Sequence, residues 1–173
     1  MQTTLAAPAA SVPVCRSDQR SGKYLTFMIG KEEFGVGVLK VREIMGVQKI
    51  TALPQTPAYI KGVINLRGKI TPVLDLRLKF GLPAIDYTQR TCIIVVQVKG
   101  VSGPIHVGIV VDEVSEVLTI AAGDVEETPD FGVNVAIDYI LGMARIKGKV
   151  KILLDIDQVL TRHEIHSLES VIG

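Results

Sequence analysis

The sequence contains no tryptophan and has only four tyrosines and four phenylalanines among its 173 residues. Proteins that bind single-stranded nucleic acids stack bases on aromatic side chains, and this chain has few of them. Its 19 Lys and Arg nearly balance its 18 Asp and Glu, so it lacks the excess positive charge that attracts phosphate backbones or anionic lipid. We therefore expect no nucleic-acid partner.

Long hydrophobic runs and paired cysteines are also missing. No apolar stretch approaches the ~20 residues that a membrane-spanning helix needs. Residues 1–14 have no Lys or Arg, which a secretory signal requires, and the two cysteines, Cys15 and Cys92, are expected to be unpaired thiols. The sequence therefore predicts a cytoplasmic protein without direct membrane insertion.

The composition that remains is typical of a globular β-protein preceded by a tail. Residues 1–22 are rich in Ala, Ser, Thr and Pro without periodicity, which predicts a flexible N-terminal segment. Alternating apolar residues predict one β-hairpin from Tyr24 to Val38 and another from Thr91 to Val111. Apolar positions at helical spacing over residues 157–173 predict a C-terminal helix that packs back on the sheets.

The two halves of the chain repeat each other. Residues 34–44 align without a gap with residues 107–117, sharing a Gly, two Val and a Glu. Residues 59–76 align with residues 139–156, again without a gap and with seven identities. Two aligned blocks in the same order indicate an internal duplication.

Each repeat of about 65 residues has the pattern of a small β-barrel, whose closure would remove the exposed edges of short sheets. We therefore predict an all-β fold of two tandem SH3-like five-stranded β-barrels with short helices. The expected boundaries are about 23–88 for the first subdomain and about 89–156 for the second. Because barrels of this size are marginally stable alone, the two should pack against each other.

Motifs for catalysis or cofactor binding are weak. Gly62 and Gly68-Lys69 resemble a phosphate-binding loop, but five residues separate the glycines and no Ser or Thr follows the lysine. The second repeat departs from the motif in the same way, so we interpret the shared Gly-Lys as a hairpin turn in which Gly supplies a positive φ. His163 and His166 lie three residues apart but lack further ligands for a metal.

Asp75 and Asp155 occupy equivalent places in the two repeats, each at the end of a predicted strand. We predict that each caps the turn that follows it, and keep open a small-ligand enzyme that would use them as a carboxylate pair. No catalytic residue, cofactor or metal is otherwise predicted, so we expect a protein that is not an enzyme.

The block Asn65-Leu66-Arg67-Gly68, followed by Ile70, Pro72-Val73 and Asp75-Leu76-Arg77, strongly resembles the CheW family of chemotaxis coupling proteins. The resemblance covers about residues 23–160 and implies the same pair of five-stranded SH3-like barrels. It implies an adaptor that couples chemoreceptors to the histidine kinase CheA in receptor arrays. The implied partners are the regulatory domain of CheA and the cytoplasmic tip of methyl-accepting chemoreceptors. A related receptor-kinase pathway, such as twitching motility, is the alternative.

A receptor tip is a helical hairpin, which an apolar groove between two barrels could accept. The repeat places Val41 and Val114 at equivalent positions, with Val38 and Val117 close by along the same segments. We predict that these four valines line the groove, and the resemblance supports Val41 and Val114 especially. The alternative is that all four are ordinary core residues.

Opposite charges also recur in the repeat. Glu43 and Arg67 have Glu116 and Lys147 as their counterparts. We predict a partly buried Glu43–Arg67 ion pair that orients the loop after the hairpin towards a partner. Because Arg presents a planar fork of donors that Lys lacks, the Glu43–Arg67 pair should depend more strictly on geometry than the Glu116–Lys147 pair.

Overall fold

The computed structural model describes residues 21–126 and 139–172, which form two β-sheets with three short helices packed around them. The predicted tail falls almost wholly outside these residues. In chain order the elements are β1 (Gly22–Ile29), β2 (Glu32–Gly37), β3 (Val41–Gly46), β4 (Ile60–Leu66), β5 (Lys69–Asp75), α1 (Leu76–Lys79), β6 (Cys92–Lys99), β7 (Pro104–Val111), β8 (Glu113–Ile120), β9 (Val125–Glu126), β10 (Ile140–Ile146), β11 (Lys149–Leu154), α2 (Ile156–Val159) and α3 (Arg162–Ile172).

Each sheet takes strands from both halves of the chain. The first sheet has the order β9-β10-β11-β2-β1-β8 and the second the order β3-β6-β7-β5-β4. Parallel pairing of β2 with β11 and of β5 with β7 joins each hairpin to the opposite half. The boundary expected near residue 88 therefore does not separate the sheets. The repeat could not reveal this, because equivalent strands have equivalent neighbours whether or not the hairpins are exchanged.

The sheets curl into barrel-like units. In the first sheet the outer strands β8 and β9 are consecutive in the chain, and Val125 follows Ile120 by only five positions. Five residues reach ~18 Å at most, whereas the outer strands of a flat six-stranded sheet lie ~24 Å apart. In the second sheet, Thr51 follows β3 closely and pairs with Val63 of the opposite outer strand. Both sheets must therefore curve, as the predicted barrels require, although the first has six strands because it includes the two-residue β9.

One hydrophobic core joins the two sheets. It contains residues of β1 and β2 from the first sheet, residues of β6 and β7 from the second, and residues of α2 and α3. Two smaller clusters, one centred on Tyr24 and Leu153 and the other on Val73 and Ile93, fill the far side of each sheet. The two barrel-like units are therefore not independent, because the largest cluster is shared.

The predicted hairpin turns are confirmed. Arg67-Gly68 joins β4 to β5 with φ values of 54° and 85°, and Lys147-Gly148 joins β10 to β11 with φ values of 51° and 78°. Two consecutive residues with positive φ are the signature of a type I′ turn, whose twist matches that of the flanking strands.

The predicted C-terminal helix is two helices. The last residues of α2 lead into Leu160, whose extended backbone (φ −106°, ψ 142°) ends the helix. Thr161 then caps α3 with a capping box. The Thr161 hydroxyl accepts a hydrogen bond from the Glu164 amide, and the Glu164 carboxylate accepts one from the Thr161 amide. Within the described residues, no helix is long and apolar enough to span a membrane.

Candidate partner-binding surface

Val38 and Val41 lie where the chain passes from the first sheet to the second. Val38 begins the single 3₁₀ turn Val38–Lys40 that links β2 to β3, and it is half-buried. Val41 begins β3, an outer strand of the second sheet, where it pairs with Val96 and packs partly buried against the shared core. These two residues are neither fully core nor fully exposed.

Val114 and Val117 lie on β8, the outer strand of the first sheet. Val114 pairs with Phe27 and packs against the shared core as Val41 does on the other sheet. Val117 pairs with Leu25, and 52% of its surface is exposed. The interpretation of all four valines as ordinary core is therefore wrong for Val117, while Val41 and Val114 belong partly to the core.

Two exposed apolar residues on these segments did not figure in the sequence prediction. Ile44, on β3, is the repeat counterpart of Val117 and is 45% exposed. Leu39, in the turn between Val38 and Lys40, is 87% exposed. The alignment of residues 34–44 with 107–117 could have identified Ile44, whereas Leu39 aligns with Asp112 and gave no such signal.

A cavity of about 460 Å³ lies beside the turn Val38–Lys40, which we call the crossing segment because it carries the chain from the first sheet to the second. Its walls are mainly apolar, and Val38 and Leu39 form part of them. The other lining residues come from the residue before β1 and the start of β1, the end of β2, the β2–β3 turn, β10 and the junction of β11 with α2: Ser21, Gly22, Lys23, Tyr24, Val36, Gly37, Lys40, Leu141, Leu154, Asp155 and Ile156. The apolar surface at the crossing segment is thus concave as well as exposed.

Glu43 and Arg67 form the predicted ion pair. The Arg67 Nη1 atom lies 3.0 Å from the Glu43 Oε1 atom, and the pairing of β3 with β6 is irregular between Val41 and Glu43. The side chain of Arg67 is 78% exposed and that of Glu43 is 27% exposed. The pair is therefore closer to a surface ion pair than to the partly buried bridge expected. Glu116 and Lys147, both described, form no ion pair with each other.

Asp75 and Asp155 cap helices, as predicted. The Asp75 carboxylate accepts hydrogen bonds from the amides of Arg77 and Leu78, and the Asp155 carboxylate accepts from the amide of Asp157. The second carboxylate oxygen of Asp75 accepts from the Tyr87 hydroxyl at 3.2 Å. Each carboxylate therefore caps the start of its own helix.

Burial governs the protonation of two groups near these caps. Burial, with the adjacent Asp75 carboxylate, raises the pKa of Tyr87 well above its ordinary value. Burial also raises the pKa of Asp155, although the Asp157 amide and the ammonium groups of Lys40 and Lys99 oppose the rise. Both shifts follow from desolvation of the charged form.

The structure agrees with comparisons to known proteins. The model of the CheW-like domain family matches residues 23–164. The chemotaxis protein CheW of Klebsiella aerogenes is 38% identical over 95% of this chain and 97% of its own length, and that of Rhizobium meliloti is 38% identical over 81% and 88%. The crystal structure of the scaffolding protein TtCheW from Thermoanaerobacter tengcongensis superimposes with a TM-score of 0.72 at 29% identity, covering 83% of this chain and 97% of that one.

Two β-sheets that exchange hairpins around one core form the fold of a scaffolding protein, and the apolar residues exposed on their outer strands suit contact with another protein. The chain belongs to the CheW-like family, and it is a chemotaxis adaptor. The fold and the family inferred from the repeat and from the Asn65–Gly68 block are thereby confirmed.

Proposed function

We propose that this adaptor couples methyl-accepting chemoreceptors to a CheA-type histidine kinase at the inner face of the cytoplasmic membrane. It binds the cytoplasmic tip of the receptor and the regulatory domain of the kinase, and it catalyses no reaction itself. The observation that carries the proposal is the pair of equivalent exposed side chains, Ile44 and Val117, on the outer strands of the two sheets. Apolar side chains left exposed at equivalent places favour a protein partner.

The proposed receptor site comprises Val38 and Val41, at the link from β2 to β3, and Val114 and Val117, on β8. The receptor tip is helical, and a helix docks through apolar anchors spaced three and four residues apart. Val41 and Val114 would form the floor of such a site, because the core already holds them in place. Val117, which is exposed, would supply most of the area that binding removes from water.

The ion pair of Glu43 with Arg67 holds the β4–β5 turn in place beside this site and adds little binding affinity of its own. Arg67 stands at the tip of the β4–β5 turn, and its contact with Glu43 ties that tip to β3. An exposed pair contributes only ~0.2–1 kcal/mol to stability. Its contribution to binding is to orient the tip towards the partner.

The tips of the two type I′ hairpins are candidates for the kinase contacts. Ile70 follows the Arg67-Gly68 turn and Val150 follows the Lys147-Gly148 turn, and both are exposed. One apolar tip on each sheet would allow a partner with a similar pair of barrels to meet either end of the molecule. Repetition of such contacts in an array would raise the overall avidity without strong individual contacts.

The test is a charge placed on Val117. The variant Val117→Glu should keep the thermal stability of the wild type, because the side chain is exposed, and should weaken binding to a receptor cytoplasmic fragment at least about tenfold. Val101→Glu is the matched control, since Val101 is similarly exposed and lies on the β6–β7 turn, which contributes none of the four valines of the proposed site. Binding is measured by calorimetry with the receptor fragment and, separately, with the kinase regulatory domain.

The outcomes separate the two partners. Loss of receptor binding with Val117→Glu alone supports the receptor site, and loss of kinase binding with Ile70→Glu or Val150→Glu supports the hairpin tips. If Val117→Glu and Val101→Glu bind the receptor fragment as the wild type does, the valine surface is not the receptor site.

A further inference from the structure

The proposed receptor site takes residues from both sheets, so its shape depends on how the sheets are joined. Val41 lies on β3, an outer strand of the second sheet, and Val114 lies on β8, an outer strand of the first. Within the described residues, two links carry the chain between the sheets: the crossing segment before β3, and the single residue Asp112 before β8. Because the backbone dihedrals of a link can rotate, a link alone does not fix the angle between the strands that it joins.

The Asp112 carboxylate holds the second link in place. Its Oδ2 atom accepts hydrogen bonds from the Gly30 amide at 2.7 Å and from the Arg77 Nη1 atom at 2.8 Å. Gly30 lies in the β1–β2 turn of the first sheet, whereas Arg77 lies in α1, which follows β5 of the second sheet. The Arg77 guanidinium is itself held, because its Nε atom donates to the Pro83 carbonyl at 2.8 Å. We call this group the Asp112 clamp, and it joins elements of both sheets.

The crossing segment has a similar clamp with the charges reversed. By the repeat alignment, Asp157 of α2 is the counterpart of Arg77 of α1. The Asp157 carboxylate accepts from the Lys40 Nζ atom at 2.8 Å and from the Lys99 amide at 2.9 Å. Lys40 belongs to the crossing segment, and Lys99 ends β6 of the second sheet. In this group, the Asp157 clamp, the helix supplies the carboxylate and the link supplies the cation.

We infer that Asp112 and Asp157 are positioning residues for the receptor site. By fixing the two links between the sheets, they set the spacing of β3 and β8, and with it the spacing of Val41 and Val114. The inference rests on the proposed receptor site. A helix meets its anchors at a fixed spacing, so a protein that spends time at other spacings binds it more weakly, in proportion to the fraction that remains competent.

The ion pair of Lys79 with Glu164 supplies a matched control. Lys79 also lies on α1, its Nζ atom lies 2.9 Å from Glu164, and the two side chains are 17% and 16% exposed, compared with 14% and 22% for Arg77 and Asp112. The Glu164 carboxylate also accepts one backbone amide, that of Thr161. This pair ties α1 to α3, which contributes no residue to the proposed receptor site. Glu164→Ala therefore removes the same kinds of contact as Asp112→Ala, but not at a link.

Spin labels can report the spacing of the two outer strands directly. Ile44 of β3 and Val117 of β8 are both exposed, so cysteines there can carry the labels. The background carries Cys15→Ser and Cys92→Ser, and the distance distribution is measured by pulsed electron paramagnetic resonance on the full-length protein.

Removal of either clamp should alter this distribution. We expect Asp112→Ala and Asp157→Ala to broaden or shift it, whereas Glu164→Ala should keep the distribution of the parent protein. All three variants should lower the melting temperature, because each leaves a largely covered cation without its partner. A role in stability alone would therefore leave the distances of all three variants alike.

Binding to a receptor cytoplasmic fragment is measured by calorimetry on the unlabelled variants. Asp112→Ala and Asp157→Ala should weaken binding at least about fivefold, whereas Glu164→Ala should bind as the wild type does. If Asp112→Ala does not fold, Asp112→Asn replaces it, with Glu164→Gln as the control that retains the capping box.

The inference and the proposed receptor site can fail separately. If the clamp variants give the same distances as Glu164→Ala, or bind the receptor fragment as it does while Val117→Glu does not, the clamps do not position the site and the inference is wrong. If Val117→Glu also binds normally, the proposed receptor site is wrong, and the inference fails with it. Altered distances together with weakened binding in the clamp variants alone would support it.

Discussion

Replacing Arg67 by glycine would measure the Glu43–Arg67 ion pair, and the repeat supplies its control. Arg67 and Lys147 sit at the same position of equivalent type I′ turns, with φ values of 54° and 51°. Gly relieves the left-handed strain of about 1–2 kcal/mol at either site and loosens the unfolded chain equally. These two effects cancel when the variants Arg67→Gly and Lys147→Gly are compared.

The remaining difference in stability between the two variants reports the ion pair. Within the described residues Arg67 contacts a carboxylate and Lys147 does not. Its atoms lie 3.0 Å apart, but the Arg67 side chain is 78% exposed, which limits the pair to ~0.2–1 kcal/mol. We therefore expect Arg67→Gly to gain ~0.2–1 kcal/mol less stability than Lys147→Gly. A bridge buried as first expected would make the difference ~3–5 kcal/mol.

Urea unfolding of both variants and the wild type gives the three free energies of unfolding. The measurement is repeated in 1 M salt, where the Debye length falls to ~3 Å and the difference between the variants should nearly vanish. A difference above about 2 kcal/mol, or one that persists in high salt, would refute the assignment of this pair to the surface.

Two further predictions concern a glycine and a helix cap. Gly62 has φ +141°, and a Cβ atom there would lie 2.0 Å from the Thr51 carbonyl oxygen, so Gly62→Ala should lower the unfolding free energy by about 3 kcal/mol or more. Gly148→Ala, which meets open space, should lose only about 1–2 kcal/mol in the same urea experiment, and equal losses would contradict this. For Asp155 the pKa is higher in the folded protein than in the unfolded chain, so the native state binds the proton more tightly. Stability therefore falls as the pH rises from the ordinary carboxyl pKa through the raised one. Asp155→Asn keeps a capping acceptor, so its stability relative to the wild type should increase as the pH rises above the ordinary carboxyl pKa of about 4, and a constant difference would show that burial does not govern this carboxylate.

The local features of the fold could be predicted because each depends on a few adjacent residues. The Gly68 and Gly148 turns need positive φ, and the capping roles of Asp75 and Asp155 follow from an acceptor at the start of a helix. The break in the C-terminal helix could also have been found, since Thr161 and Glu164 have the spacing of a capping box.

The exchange of hairpins could not be predicted in this way. Pairing of β2 with β11 rather than β5 is a contact between distant segments, and the repeat makes both partners suitable by pattern. The exposure of Arg67 was missed for a related reason. Spacing in the sequence indicated that Glu43 and Arg67 could meet, but not how much of the arginine the neighbouring strands would cover.

The exchange bears on how an adaptor could transmit a signal. The turn Val38–Lys40 carries the chain from β2 of the first sheet to β3 of the second, and its Lys40 is tied to Asp157 of α2 by a 2.8 Å ion pair. A partner that presses on Val38 or Val41 therefore acts on both sheets and on the core that they share. Because each hairpin pairs with strands of the other half and both sheets share one core, we expect a displacement of one sheet to affect the other. We therefore expect that a partner which favours one arrangement of the first sheet also changes the affinity of the second sheet for its partner, and variants that loosen the shared core should weaken this coupling.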